Sequence, residues 1–361
     1  MINVVIGTRP NFVKIAPLLR AIKKYENIKY KLIHTGQHYD AEMSKVFFED
    51  LEIPQPDICL DVGSGSHTYQ LATIMTKFEQ VCLDDMPDMV MVVGDVNSTL
   101  ACALVASRLP CKLVHVEAGL RSFDLKMPEE TNRIITDRLS NYLFAISSYD
   151  KINLNAEGIY EGVHVVGNVM VDSLLYNLPK IRQIPTPDND YILFTLHRAG
   201  TVDNKITLGN VLDTVITIRQ DTGIDVIFPV HPRTRRRIEA FGLNSLLSEH
   251  EICVTKPKSY LEILALIKNA KVVITDSGGI QVEAMVLKTP CLTLRDKTEH
   301  IETLTENLGG TNRLVGVNAT KTIEEAERIL KLKEYSVSIA LPKLYDGHAA
   351  DRIMAILSEV I

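Results

Sequence analysis

At 361 residues the chain exceeds what one hydrophobic core usually supports, so two domains are the default expectation. Its 46% hydrophobic and 23% charged residues are those of an ordinary globular protein, and a formal net charge of -6 argues against a nucleic-acid partner, whose footprint is a basic face. No run approaches the roughly 18 apolar residues of a membrane span, residues 1–6 read as a strand rather than a leader, and six scattered cysteines read as reduced core residues, so no membrane partner and a cytoplasmic location are expected.

In chain order, residues 2–8 form an apolar run that stops at Arg9-Pro10, and Lys14 follows one helical turn later. Residues 31–35 form a second run, followed by Gln37-His38. The run at 89–93 stops at Gly94-Asp95 and the run at 112–116 at Glu117. Pro128-Glu129-Glu130 opens a helical stretch, after which come runs at 142–147 and 163–167. Continuous Val/Ile/Leu runs separated by helical segments are the pattern of buried parallel strands.

Residues 168–176 look helical, and the prolines and polar residues between 178 and 190 interrupt both periodicities, which makes that stretch the best linker candidate. A second series follows. The run at 191–196 stops at His197-Arg198, the run at 226–230 at His231-Pro232-Arg233, and the run at 271–275 at Asp276-Ser277-Gly278-Gly279. Further runs lie at 250–254, 290–294 and 313–317. The expected organisation is an α/β chain of two Rossmann-like domains, residues 1–167 joined by a returning C-terminal helix at about 346–361, and residues 168–345.

Ligands of open α/β sheets bind outside the carboxyl ends of the strands, where these polar groups fall. Ser277-Gly278-Gly279 between strand and helix makes an anion site from exposed amides and the helix dipole, with Glu283 one turn on, placed to accept from ribose hydroxyls. The bland alternative is a glycine pair that merely tightens a turn. Arg9 and Lys14 are suited to a phosphate, against the alternative of solvated cations at a helix start. Asp95 and Glu117, with Glu129 and Glu130, supply the several carboxylates that proton transfer at carbon requires; capping is the competing explanation for the last two. His197 and His231 can donate to a phosphate or ribose oxygen or protonate a leaving group, although a lone histidine is more often structural. The arginines 233 and 235–237 include a solvated helix face. No G-x-G-x-x-G follows the first strand and no P-loop is present, which lowers the odds of a dehydrogenase or kinase, and no carboxylate cluster of metal-site spacing stands out, so neither metal nor cofactor is expected.

Taken together, Gly7 to Pro10, Lys14, Gln37-His38, Gly94-Asp95, the segment 115–121, Pro128-Glu129-Glu130, His197-Arg198, the segment 229–232, Asp276 to Glu283 and Thr298-Glu299 closely resemble the non-hydrolysing UDP-N-acetylglucosamine 2-epimerases. The resemblance runs collinearly to about Gly316. It implies a glycosyltransferase-B-like fold with both domains facing a central cleft, usually a homodimer, and a reaction that eliminates UDP to leave a 2-acetamidoglucal, then adds it back with carbon 2 inverted. By motif position Asp95, Glu117 and Glu129 take the acid/base roles with His197 also catalytic, and Arg9, Lys14, Arg198, His231, Ser277, Gly278, Gly279, Glu283 and His300 take the UDP-sugar. Gln37 and His38 take an allosteric role.

The chain departs from the family pattern at several places: Asn11 stands where the family has Glu, Ala199-Gly200-Thr201 where it has Arg-Glu-Asn, Val282 where it has Glu, and His300-Ile301 where it has Arg-Pro. The arginine-glutamine pair of bacterial relatives is missing from residues 63–67. These substitutions keep three alternatives in view: the same chemistry on a modified sugar such as a diacetamido uronic acid, a UDP-sugar glycosyltransferase of the same architecture, and an idle UDP-sugar sensor.

Overall fold

The computed structural model of the chain describes residues 1–36, 47–305, 309–331 and 341–361, and at Arg9 the backbone only. Two compact units result: residues Met1–Tyr176 with Lys343–Ile361, and Asn177–Pro342.

The first unit is built on seven strands, β1 (Ile2–Ile6), β2 (Tyr30–His34), β3 (Ile58–Cys59), β4 (Met89–Val93), β5 (Lys112–Ala118), β6 (Tyr142–Ala145) and β7 (Val163–Val165). Their order is β3-β2-β1-β4-β5-β6-β7, with every pairing parallel. The second unit repeats the plan with β8 (Tyr191–Thr195), β9 (Asp225–Pro229), β10 (Cys253–Thr255), β11 (Val272–Thr275), β12 (Cys291–Thr293) and β13 (Asn312–Leu314), ordered β10-β9-β8-β11-β12-β13 and again parallel. Strands β1, β4, β8 and β11 are buried or nearly so along their whole length, because helices cover both faces of a parallel sheet; that burial explains why their sequences are apolar without alternation.

In each sheet the order reverses beside the first strand of its series. The chain leaves β1 and β4 in opposite directions, and likewise β8 and β11, so each sheet opens a crevice at the carboxyl ends of its central pair. Helix α1 (Arg9–Ile22) follows β1, α2 (Asn97–Ala106) follows β4 and α3 (Pro128–Leu139) follows β5. In the second unit α5 (Gly278–Leu287) follows β11.

The two units divide a few residues away from the expected domains. Helix α4 (Val169–Ile181) carries Leu178 and Pro179 inside it, and the division falls after Tyr176 rather than after Gly167. The reason is packing. Ser173 donates its hydroxyl to the Val13 carbonyl of α1, and buried Asp172 accepts the Ala349 and Ala350 amides at 3.1 and 2.7 Å, which cap the C-terminal helix α6 (Ala349–Ser358). The first half of α4 therefore packs with the first unit, which also takes in Lys343–Ile361. Burial pushes the Asp172 carboxyl up to about 6, against the pull of its two amide hydrogen bonds and of Arg352. Among the described residues no helix is long and apolar enough to cross a membrane.

Candidate active site

The loop from β1 to α1 is organised by Thr8 and Asn11. Thr8 is the N-cap, Asn11 accepts the Thr8 amide, and the Asn11 side-chain amide donates to the Val93 carbonyl at 2.9 Å. Asn11 thus ties the start of α1 to the end of β4, a structural task at a position where the family pattern has Glu. Arg9 is the first residue of α1 rather than the end of β1, which stops at Ile6. Its side chain, like Gln37 and His38, lies outside the described residues.

Lys14 lies one turn into α1, where it is buried and forms an ion pair with Glu117. Burial pulls the Lys14 ammonium down, but the charges of Glu117 and Asp95 and the hydrogen bond to Glu117 outweigh it, so the net shift is upward from the ordinary lysine value. Asp95, half-buried after β4, pairs with Arg133 of α3, and Arg133 turns its other nitrogen to Glu130. The structure therefore gathers Lys14, Asp95, Glu117, Glu130 and Arg133 into one charge cluster at the crevice of the first sheet.

Glu117 lies within β5 rather than after it, and its backbone adopts φ 76 where the pairing with β6 slips between Val116 and Ala118. A left-handed non-glycine residue costs about 1–3 kcal/mol, and bulges of this kind turn a side chain out of the pleat. Here the turned side chain is the carboxylate that meets Lys14.

The two glutamates at the start of α3 differ. Glu130 is buried; it accepts the Ser122 and Phe123 amides at 3.0 and 2.7 Å and the Ser122 hydroxyl at 2.9 Å, so it holds the loop before α3 in place. Glu129 is half-exposed and stands apart from these pairs. The motifs of the sequence do not mark Arg133, and the signal for it is its spacing of three from Glu130 on a helix.

In the second unit Asp276, fully buried after β11, accepts the His197 amide at 3.1 Å, the Arg198 amide at 2.9 Å and the His197 Nδ1 hydrogen at 3.0 Å. Burial raises the Asp276 carboxyl, but His197 and the two amides more than reverse that, leaving it below the usual range. An ionised Asp276 fixes the histidine tautomer with its hydrogen on Nδ1, and the His197 side chain remains 42% exposed. The His231 ring lies 5.9 Å from that of His197, and its Nδ1 accepts the Arg233 amide as the cap of the following helix. Asp276 belongs to the same arrangement, and strand-end position alone did not single it out from Ser277.

Ser277 caps α5, accepting the Ile280 amide at 3.5 Å, and Gly278 and Gly279 form the first turn. The glycine at 278 has a reason beyond ligand approach: a β-carbon there would lie 2.6 Å from the Glu299 Oε1. Glu299 is buried, held at 2.7 Å by Arg295 and at 3.5 Å by Arg198. Burial raises its carboxyl, yet Arg295, His300 and Arg198 hold it well below the ordinary glutamate range. His300 is buried beside Glu302, its Nδ1 3.2 Å from the carboxylate. Glu283 is buried one turn into α5, and burial pushes its carboxyl up to about 7. A group so poorly solvated is stabilised as an anion by any hydroxyl that donates to it.

Two parallel-sheet units that share one order over six strands, one with a carboxylate and cation cluster and the other with a buried-aspartate histidine beside a helix-start anion site, define a glycosyltransferase-B-like α/β enzyme. The chain belongs to the UDP-N-acetylglucosamine 2-epimerase family, whose model matches residues 20–358, and it is an epimerase. It is 44% identical to a UDP-N-acetylglucosamine 2-epimerase of Methanocaldococcus jannaschii, over 99% of this chain and 98% of that one. It is 40% identical to a UDP-2,3-diacetamido-2,3-dideoxy-D-glucuronate 2-epimerase of Pseudomonas aeruginosa, over 90% and 91% of the two chains. The crystal structure of the Methanocaldococcus jannaschii UDP-GlcNAc 2-epimerase in complex with UDP-GlcNAc and UDP aligns with a TM-score of 0.92 and 43% identity, covering 99% of each chain.

Proposed function

We propose that this epimerase interconverts UDP-N-acetylglucosamine and UDP-N-acetylmannosamine by elimination and re-addition of UDP. The base removes the proton at carbon 2, the bond from carbon 1 to the diphosphate oxygen breaks with its electron pair leaving on UDP, and a 2-acetamidoglucal remains. Re-addition returns the diphosphate oxygen to carbon 1 while an acid delivers a proton to the opposite face of carbon 2. Two faces need two proton-transfer groups, and Asp95, Glu117 and Glu129 are the candidates. The proton at carbon 2 is poorly acidic, so charge developing on the diphosphate must be stabilised as the proton leaves. The amides of Gly278 and Gly279, with His197, Arg198 and His231, take that task, and Arg9 and Lys14 add positive charge.

Glu283 takes the ribose, and its elevated titration makes the hydroxyl hydrogen bonds most favourable above about 7, where it is ionised. A homodimer and a cytoplasmic setting accompany this reading. The observation that carries it is the buried Lys14–Glu117 pair on a turned backbone, beside half-buried Asp95 and buried Arg133.

A second reading, the same chemistry on a diacetamido uronic acid sugar, is favoured by the Pseudomonas aeruginosa relative and by His300 in place of arginine. Proton NMR in deuterated water with each UDP-sugar decides. Deuterium entering carbon 2 of UDP-N-acetylglucosamine is the expected result; exchange confined to the uronate transfers the assignment, and stoichiometric UDP release dependent on an acceptor replaces both with a glycosyltransferase.

A further inference from the structure

His115 lies on β5 two residues before Glu117, fully buried, and the scheme above gives it no part. Its Nε2 stands 2.8 Å from the Gly94 carbonyl oxygen and its Nδ1 2.6 Å from Asp137 Oδ1. A carbonyl only accepts, so Nε2 carries a hydrogen. Asp137, also buried, receives the Gly119 amide at 3.1 Å and Arg121 Nη1 at 2.8 Å on its other oxygen, so the His115–Asp137 hydrogen bond joins the Gly94 turn to the Gly119 turn.

Both anchor points are turns beside the acidic residues. Gly94, at φ 66, precedes Asp95, and Gly119, at φ 84, follows Glu117 by two residues. Neither turn has slack. A β-carbon at Gly94 would lie 2.9 Å from Lys14 Nζ and 3.1 Å from Glu117 Oε2, and one at Gly119 would lie 2.5 Å from the Asp150 carbonyl oxygen. A shift of the Gly94 turn is therefore a shift against the Lys14–Glu117 pair.

We propose that the buried His115–Asp137 pair is a positioning device that clamps the Gly94 and Gly119 turns and so keeps Glu117, in its left-handed conformation, against Lys14. The proposal rests on the reading of Glu117 as a proton-transfer group. His115 touches no reacting atom; it acts through the backbone on either side of one.

Two isosteric substitutions separate the ends of the clamp. In His115→Asn the amide nitrogen replaces Nδ1, keeping the Asp137 bond and losing that to Gly94; in His115→Gln it replaces Nε2 and keeps the Gly94 bond. The expected result is a fall in kcat of about 10²-fold for His115→Asn, the size of effect a displacement near 1 Å produces. KM should be unchanged, with most of the loss restored in His115→Gln. A crystal structure of His115→Asn should show the Glu117 carboxylate displaced from Lys14. Wild-type kcat in His115→Asn, an equal loss in both variants, or a Glu117 that stays on Lys14 overturns the proposal. If the wild-type enzyme exchanges no proton at carbon 2 of either sugar, the functional reading falls, and the Glu117 position in the variant still decides the clamp.

Discussion

The strand ends of the first sheet are dry, and those of the second are half wet. Lys14, Glu117, Glu130 and Arg133 are buried and neutralise one another beside a half-buried Asp95, whereas His197 and Arg198 are half-buried and His231 is exposed, with Asp276, Glu283, Glu299, His300 and Glu302 buried in the same unit. The two sheets share one order over six strands, the first adding β7 at its edge, so topology at the central strands does not produce the difference. It comes from what the neighbouring helix contributes. In the first unit α1 and α3 each send a cation into the crevice, while in the second α5 presents glycine amides. On the proposed reading, a dry cluster suits proton transfer at carbon, where fixed charges in a low-dielectric site are most effective, and an open anion site suits a diphosphate that must enter and leave.

The sharpest way to break this comparison is Glu117→Gln. It should lower kcat by about 10²–10⁴-fold, the range that a proton-transfer group supplies, and leave UDP affinity by calorimetry unchanged. It also removes the nearer of the two negative charges that face buried Lys14, leaving Asp95, so a cost of up to about 3–5 kcal/mol is expected in denaturant unfolding. A variant that binds UDP poorly and turns over normally would reverse the division of labour between the units.

Asp276→Asn comes next. The substituted amide can offer hydrogens to His197 Nδ1 and so disturb the tautomer that the carboxylate imposes; a loss in kcat of about 10²-fold is expected, with His197→Asn no worse when the two are combined, because the residues act as one unit.

Glu283→Gln sharpens the contrast in the opposite direction. The native carboxyl titrates at about 7 against an ordinary 4.5, so the folded state binds its proton more tightly than the unfolded chain does. Its contribution is therefore fully present below 4.5 and is lost as pH rises through about 7. The glutamine variant should unfold a few degrees higher at alkaline pH while binding UDP more weakly, a trade expected of a polar group buried for function. The same sign applies to Asp172 in the first unit over the lower window from 3.8 to about 6, and Asp172→Asn should flatten that part of a thermal-unfolding profile. The smallest effect belongs to the surface. Lys24, with 61% of its side chain exposed, pairs with Asp351 on α6, and Lys24→Ala should change stability by less than about 1 kcal/mol.

Much of this was legible in the chain itself. Apolar runs without alternation marked buried parallel strands, a proline or a glycine pair marked helix starts, and the polar residue that ended each run marked a crevice, because hydrogen-bonding ladders and helix caps impose local patterns. What the sequence could not decide is which charges pair and which stay exposed. Glu129 and Glu130 are neighbours with the same side chain, yet only Glu130 is buried against Arg133, Ser122 and Phe123. Glu117 reads as a strand residue, and its left-handed turn toward Lys14 follows from the slipped pairing of β5 with β6. Gly278 reads as room for a ligand, and the space its side chain would fill holds Glu299. Each of these depends on desolvation and on partners far away in the chain, and those are settled only when helices and strands have packed.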